Sequence, residues 1–162
     1  MKIIYAPWRM DYLMQDKSKI NECVFCVEDK SFDNKYMLYR GKYSFIKLNM
    51  FPYNCGHTLV IPYVHTKELN NLSYEAGAEI MLLISKSCDI LTEVYKCDGI
   101  NVGLNLGKAA GAGIEKHLHF HIIPRWEGDV SFYSTCSDLR VVCELLDDTY
   151  AKLINHFKGL EI

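Results

Sequence analysis

Three of the chain's six histidines occupy alternate positions in His117-Leu118-His119-Phe120-His121-Ile122-Ile123. On a helix, residues two apart point to different sides, whereas on a strand alternate side chains share a face. The spacing therefore predicts a half-buried strand. Leu118, Phe120 and Ile122 lie on its covered face, and three imidazoles stand in a row on the open face, about 6 to 7 Å apart at strand rise. Imidazoles so placed suit two chemistries. Two ring nitrogens pointing the same way can share a catalytic zinc ion with a third ligand from elsewhere. Alternatively, one imidazole attacks phosphorus while its neighbours orient it and stabilise charge. Surface or hydrogen-bonded structural histidines are the third reading, which suits a lone histidine better than three on one face.

Three further stretches carry chemistry-bearing residues. Cys23-Val24-Phe25-Cys26 offers half of a tetrahedral zinc site, with two ligands still to be brought by folding. A redox role fits less well, because no thioredoxin-like strand and helix follow the pair. Asn101 to Gly107 alternates small or polar with apolar residues and leads into Gly111-Ala112-Gly113. Such glycines let main-chain N–H groups turn inward as an anion nest, which would seat a phosphate against the histidines. The glycine spacing is not that of a dinucleotide-binding fingerprint, and the plain alternative is a turn between strands. Asn49 to His57 holds Pro52, Asn54 and Gly56 and reads as a loop with a β-turn.

The histidine segment resembles the histidine-triad motif, His-φ-His-φ-His-φ-φ with φ apolar, of the HIT family of nucleotide hydrolases and transferases. The likeness extends through Ala6-Pro7-Trp8-Arg9, Cys23 to Cys26, Asn49 to His57, Asn101 to Gly113, and Pro124-Arg125-Trp126 with Gly128-Asp129. This longer pattern is similar to the dinucleoside tetraphosphate phosphorylase and ATP adenylyltransferase-like branch. The resemblance implies a HIT-like fold, usually a homodimer, acting at the α-phosphate of an adenine nucleotide. It makes His119 the nucleophile that carries the nucleotidyl group, His121 the donor to a non-bridging phosphate oxygen, and His117 the group fixing the opposite side. It also implies that Asn49 contacts the ribose hydroxyls, His57 lies by the phosphate, Asn105 bonds near the scissile phosphate, and Gly111 and Gly113 supply main-chain contacts. In similar proteins bearing the cysteine pair, a structural zinc is completed by the positions matching His65 and His117. That would give Cys23, Cys26, His65 and His117 as ligands and leave His119 and His121 as the catalytic pair.

The implied substrate class is a diadenosine tetraphosphate-like dinucleotide, with phosphorolysis favoured over hydrolysis. Two other functions stay open: a hydrolase of adenosine phosphoramidate-type or other adenylyl conjugates, and a zinc-stabilised nucleotide- or partner-binding module without turnover. Nothing in the pattern requires an organic cofactor.

The elements that must position these groups follow from the rest of the chain. Strand character at Tyr36 to Arg40 and Tyr43 to Leu48, split by Gly41-Lys42, predicts a hairpin. His57 to Pro62 predicts another strand, ended by the proline. Ser73 as N-cap and an apolar stripe of Ile80, Ile84, Ser87, Leu91 and Tyr95 predict a helix to about Lys96. A strand over Ile100 to Leu106 and a last helix within Leu139 to Phe157 complete an α+β domain with a mainly antiparallel sheet. Residues 1 to 30 read as an irregular arm with a short helical piece near Arg9 to Asp16, and the 162 residues as a single domain.

A formal net charge of −2 gives no basic patch in the composition, which argues against a nucleic-acid partner. Seven cysteines, an odd number without an export signal, argue against a disulfide framework. The longest apolar run, Ile80 to Ile84, cannot span a bilayer, so no membrane association is expected and a cytoplasmic location is.

Overall fold

The structure is a computed structural model that describes residues 23–26, 35–129 and 142–160. The expected helical piece near Arg9 to Asp16 and the Ala6 to Arg9 motif lie outside the described residues. Five strands, β1 (Met37–Arg40), β2 (Ser44–Leu48), β3 (Thr58–Pro62), β4 (Gly99–Leu104) and β5 (Phe120–Arg125), form one sheet in the order β1-β2-β3-β5-β4. Every pairing is antiparallel. Helix α1 (Tyr74–Tyr95) packs on β2, β3, β4 and β5, and α2 (Leu146–Lys158) packs on β1 and α1. This is the α+β arrangement expected, with the helices on one face.

The reasons are local before they are global. The β1–β2 turn is closed by Gly41 N–H donating to the Ser44 carbonyl at 2.8 Å. It is also clasped from α1 by Glu79, whose carboxylate accepts from the amides of Lys42, Tyr43 and Ser44 and from Ser44 Oγ, all at 2.7–2.9 Å. Burial works to raise that carboxyl's pKa, but these bonds outweigh it and hold the group below the usual range. Helix α1 opens with Ser73 Oγ accepting from Ala76 N–H and closes at Lys96 in the left-handed region. Its buried stripe is Ala76, Ile80, Leu83, Ile84, Ser87 and Leu91.

The sheet is covered on both faces. Ile46, Leu48, Val60 and Ile122 meet the helices, whereas Phe45, Leu59 and Ile61 meet Phe25 of the cysteine turn. Two expectations are corrected here. The ladder of the histidine strand begins only at Phe120, so His117 and His119 precede it. Leu118 N–H bonds to the Thr66 carbonyl at 2.7 Å, which holds this stretch against the loop after β3. The histidine face is also not open. His117, His119 and His121 are 1%, 6% and 6% exposed, because the cysteine turn and the Asn49–His57 loop cover it. The strand expected over Ile100 to Leu106 ends at Leu104.

Candidate active site and metal cluster

The five histidines 57, 65, 117, 119 and 121 fall into two groups joined at His117. Register explains the first group. Leu59 pairs with His121 and His121 with Gly103, so His121 projects from the face covered by the cysteine turn, beside a position that carries no side chain. A Cβ on Gly103 would meet nothing within 4 Å, leaving that flank of His121 clear. His57 lies one residue before β3 and is brought behind His121, with the two rings 5.1 Å apart.

The hydrogen bonds fix which nitrogens carry protons. Tyr53 N–H donates to His57 Nδ1 at 3.0 Å, so the His57 proton resides on Nε2. Nε2–H then donates to His121 Nδ1 at 2.9 Å, which puts the His121 proton on its own Nε2. That Nε2 is buried with no hydrogen-bond partner among the described residues. Burial, aided by the nearby His119, pushes the His121 pKa down to about 4, so the ring is neutral at pH 7. His121 is thus a neutral donor whose proton has no acceptor among the described residues.

His119 has the complementary polarity. Its Nδ1–H donates to the His117 carbonyl at 2.8 Å, which assigns the imidazole lone pair to Nε2. The His119 and His121 rings meet edge-on at 5.0 Å. A nucleophilic nitrogen and a hydrogen-bond donor therefore stand side by side, an arrangement suited to attack at phosphorus while charge on its oxygens is stabilised.

The loops around this pair are held by polar contacts. Asp129 takes Arg125 in a two-point ion pair at 2.6 and 2.8 Å and accepts from Asn54 Nδ2 at 3.0 Å, tying the 49–57 loop to the end of β5. Arg125 also donates to Asn101 Oδ1 of β4 at 2.8 Å. Gly56 has φ +74°, and a Cβ there would stand 2.8 Å from the Tyr95 ring. Asn49 Oδ1 accepts from Phe51 N–H, and its Nδ2 lies 3.3 Å from His57 Nδ1. His57 itself is 1% exposed and its Nε2 lies 2.9 Å from His121 Nδ1. Asn105 follows Leu104, the partner of Phe120, and so enters the loop at the level of His119. Gly111 (φ +85°) and Gly113 are exposed, and a Cβ on either would meet nothing within 4 Å.

The second group is Cys23, Cys26, His65 and His117, whose ligand atoms all lie within 4.8 Å of one another. Cys23 Sγ is 3.3 Å and Cys26 Sγ 3.8 Å from His117 Nδ1, and Cys26 Sγ is 3.1 Å from His65 Nδ1. A tetrahedral zinc ion with bonds of about 2.0 to 2.3 Å places sulfur and nitrogen roughly 3.5 Å apart, so the donor set fits. The tautomer fits as well: His117 Nε2–H donates to the Pro62 carbonyl at 2.8 Å, turning the Nδ1 lone pair toward the thiols. With both ring nitrogens engaged, His117 meets His119 through its carbonyl, which accepts from His119 Nδ1–H.

Two residues near the site were not singled out from the sequence. Tyr53 stacks on His121 at 5.5 Å and 16°. Phe25 packs on His119 at 5.1 Å. The signal for Phe25 was its place between the two cysteines.

A family model described as the HIT domain matches residues 32–128, more than half of the chain. The chain belongs to the HIT domain family. It is 34% identical over 154 residues to AP-4-A phosphorylase of Mycobacterium tuberculosis, a match spanning 90% of this chain and 79% of that protein. It is 32% identical to an adenosine 5'-monophosphoramidase of Saccharomyces cerevisiae over 76% of this chain and 75% of that one. Among solved structures, a Zn-bound histidine triad family protein from Mycobacterium smegmatis superposes with TM-score 0.62 at 28% identity, covering 76% of this chain and 84% of that one. A hypothetical histidine triad nucleotide-binding protein of Sulfolobus tokodaii does so with TM-score 0.66 at 27% identity, covering 85% and 93%. As a HIT protein this chain is an enzyme of the nucleotidyltransferase or hydrolase kind. Among the described residues no helix is long and apolar enough to cross a membrane.

Proposed function

We propose that the protein transfers the adenylyl group of a diadenosine tetraphosphate-like dinucleotide to inorganic phosphate. The observation that carries this reading is the paired polarity of His119 and His121, a lone pair on one Nε2 beside a proton on the other. His119 Nε2 attacks the α-phosphorus as the bond to the leaving nucleotide breaks. Because Nδ1 keeps its proton, the adenylylated ring is cationic, and the His117 carbonyl that accepts this proton steadies it. His121 Nε2–H bonds a non-bridging oxygen where negative charge gathers. An acceptor then enters from the side the leaving group vacated. Phosphate yields ADP, so diadenosine tetraphosphate plus phosphate becomes ADP plus ATP.

Asn49 is assigned to the ribose, and Asn105, Gly111 and Gly113 to the phosphates. His57 acts through His121 by holding its tautomer. Cys23, Cys26, His65 and His117 would hold a structural zinc that ties the cysteine turn to the sheet and supplies folding energy. The protein is proposed to be cytoplasmic and to work as a homodimer. In support of pairing, β4 is an exposed edge strand with Val102 48% exposed, and α1 presents Tyr74 and Met81 at 88% and 63%.

Chromatography of products from diadenosine tetraphosphate, with and without phosphate, tests the acceptor. ADP plus ATP appearing only with phosphate supports the proposal. AMP plus ATP at the same rate without phosphate makes water the acceptor and overturns it.

A further inference from the structure

Phe25 provides no metal ligand and no proton, yet it is 7% exposed and lies between the two cysteines. Its ring centroid is 5.1 Å from that of His119 at 49°, and 5.7 Å from that of His117 at 84°. The turn that carries it is closed by Cys26 N–H donating to the Cys23 carbonyl at 2.9 Å. Phe45, Leu59 and Ile61 of the sheet complete the apolar cluster in which it sits.

What His119 requires explains why a ring is placed there. The bond from Nδ1–H to the His117 carbonyl anchors one point of the imidazole, and a ring held at one point still swings about it. Its plane is set by what packs against it, and among the described residues the rings that do so are Phe25 and His121. His121 has a proton to give to the substrate, so the passive wall is Phe25. A misplacement of about 1 Å in a reacting group costs on the order of 100-fold in rate.

We infer that Phe25 is a positioning residue: its ring, carried by the Cys23–Cys26 turn, fixes the plane of His119 so that Nε2 faces the α-phosphorus. The inference rests on His119 being the nucleophile. It gives the cysteine cluster a second consequence. The turn that presents thiols to His65 and His117 also presents the wall to their neighbour, so the geometry of the nucleophile depends on the integrity of the cluster.

The test uses zinc-loaded parent, Phe25→Ala and Phe25→Leu proteins with diadenosine tetraphosphate. Zinc content is measured by atomic absorption, and the single-turnover rate of nucleotide attachment by rapid quench. The state of the His119 ring is read from nitrogen–proton correlation spectra of the substrate-free proteins. At parental zinc content, attachment should slow about 100-fold in Phe25→Ala and roughly 10-fold in Phe25→Leu, with KM within about threefold of parent. The His119 ring signals should pass from a single Nδ1–H tautomer to a mixture. If the alanine variant does not fold, the leucine variant carries the same comparison. Parental attachment rates and ring spectra overturn the inference, and so does a rate loss that merely tracks zinc content while the ring signals stay parental. A parent that attaches no nucleotide to His119 defeats the proposed reaction instead. In that case the ring spectra alone still decide whether Phe25 holds the imidazole.

Discussion

His57 donates its Nε2 proton to His121 Nδ1 across 2.9 Å, and this bond determines that the His121 proton sits on Nε2. Removing the donor removes the reason for that tautomer. His57→Phe should lower kcat about 100-fold with little change in KM, the size seen when one oxyanion donor is lost, because the bond matters most as charge builds. Steady-state kinetics check this. A change confined to KM would mean that His57 serves ground-state binding instead.

The same pair sets an acid sensitivity of stability. The folded His121 has its pKa pushed down to about 4 from an ordinary 6.5, so on acidification the unfolded chain takes up the proton first. Stability from this group is intact above about pH 6.5 and is lost as the pH falls toward 4, by roughly 3 kcal/mol in all. In thermal melts between pH 7 and pH 4 the parent should therefore lose stability relative to His121→Gln, whatever their offset at pH 7. A constant offset would contradict the buried, neutral assignment.

Chelation should act on the fold before it acts on the chemistry. Cys23, Cys26, His65 and His117 bring together the cysteine turn, the loop after β3 and the segment before β5. Removing bound zinc should lower Tm and expose Phe25 and its apolar neighbours. His65→Ala should do the same with His119 and His121 untouched. Metal analysis alongside calorimetry checks this, and a chelated protein with unchanged Tm would speak against a structural metal.

Glu79 offers a stability test far from the histidines. Four donors converge on its carboxylate, three of them main-chain amides of the β1–β2 turn. Glu79→Ala strands these donors and should cost about 2 kcal/mol, measured by denaturant unfolding. Gly41→Ala should also destabilise, since its Cβ would stand 2.6 Å from Glu79 Oε1 and 2.9 Å from the Ser44 carbonyl.

How much of this was legible in the sequence depended on whether the cause was local. Ser73 as a cap, the stripe from Ile80 to Leu91 and the Gly41-Lys42 turn are local, and the elements form where periodicity places them. The alternation of His117, His119 and His121 marked the site for the same reason. What covers that face was not legible, because Phe25 and Tyr53 arrive from distant stretches. The late start of β5 was hidden too, since the Thr66 carbonyl that takes Leu118 N–H belongs to the loop after β3. The His57–His121 bond joins residues 64 apart, and spacing cannot reveal a tautomer.

The most direct measurement is to mix the protein with diadenosine tetraphosphate without phosphate, quench in alkaline denaturant, and map any nucleotide by mass spectrometry of the peptides. One AMP on the peptide bearing His119, absent from His119→Ala and discharged as ADP when phosphate is added before the quench, is the expected result. An adduct that persists in His119→Ala, or lies on another residue, would contradict the account.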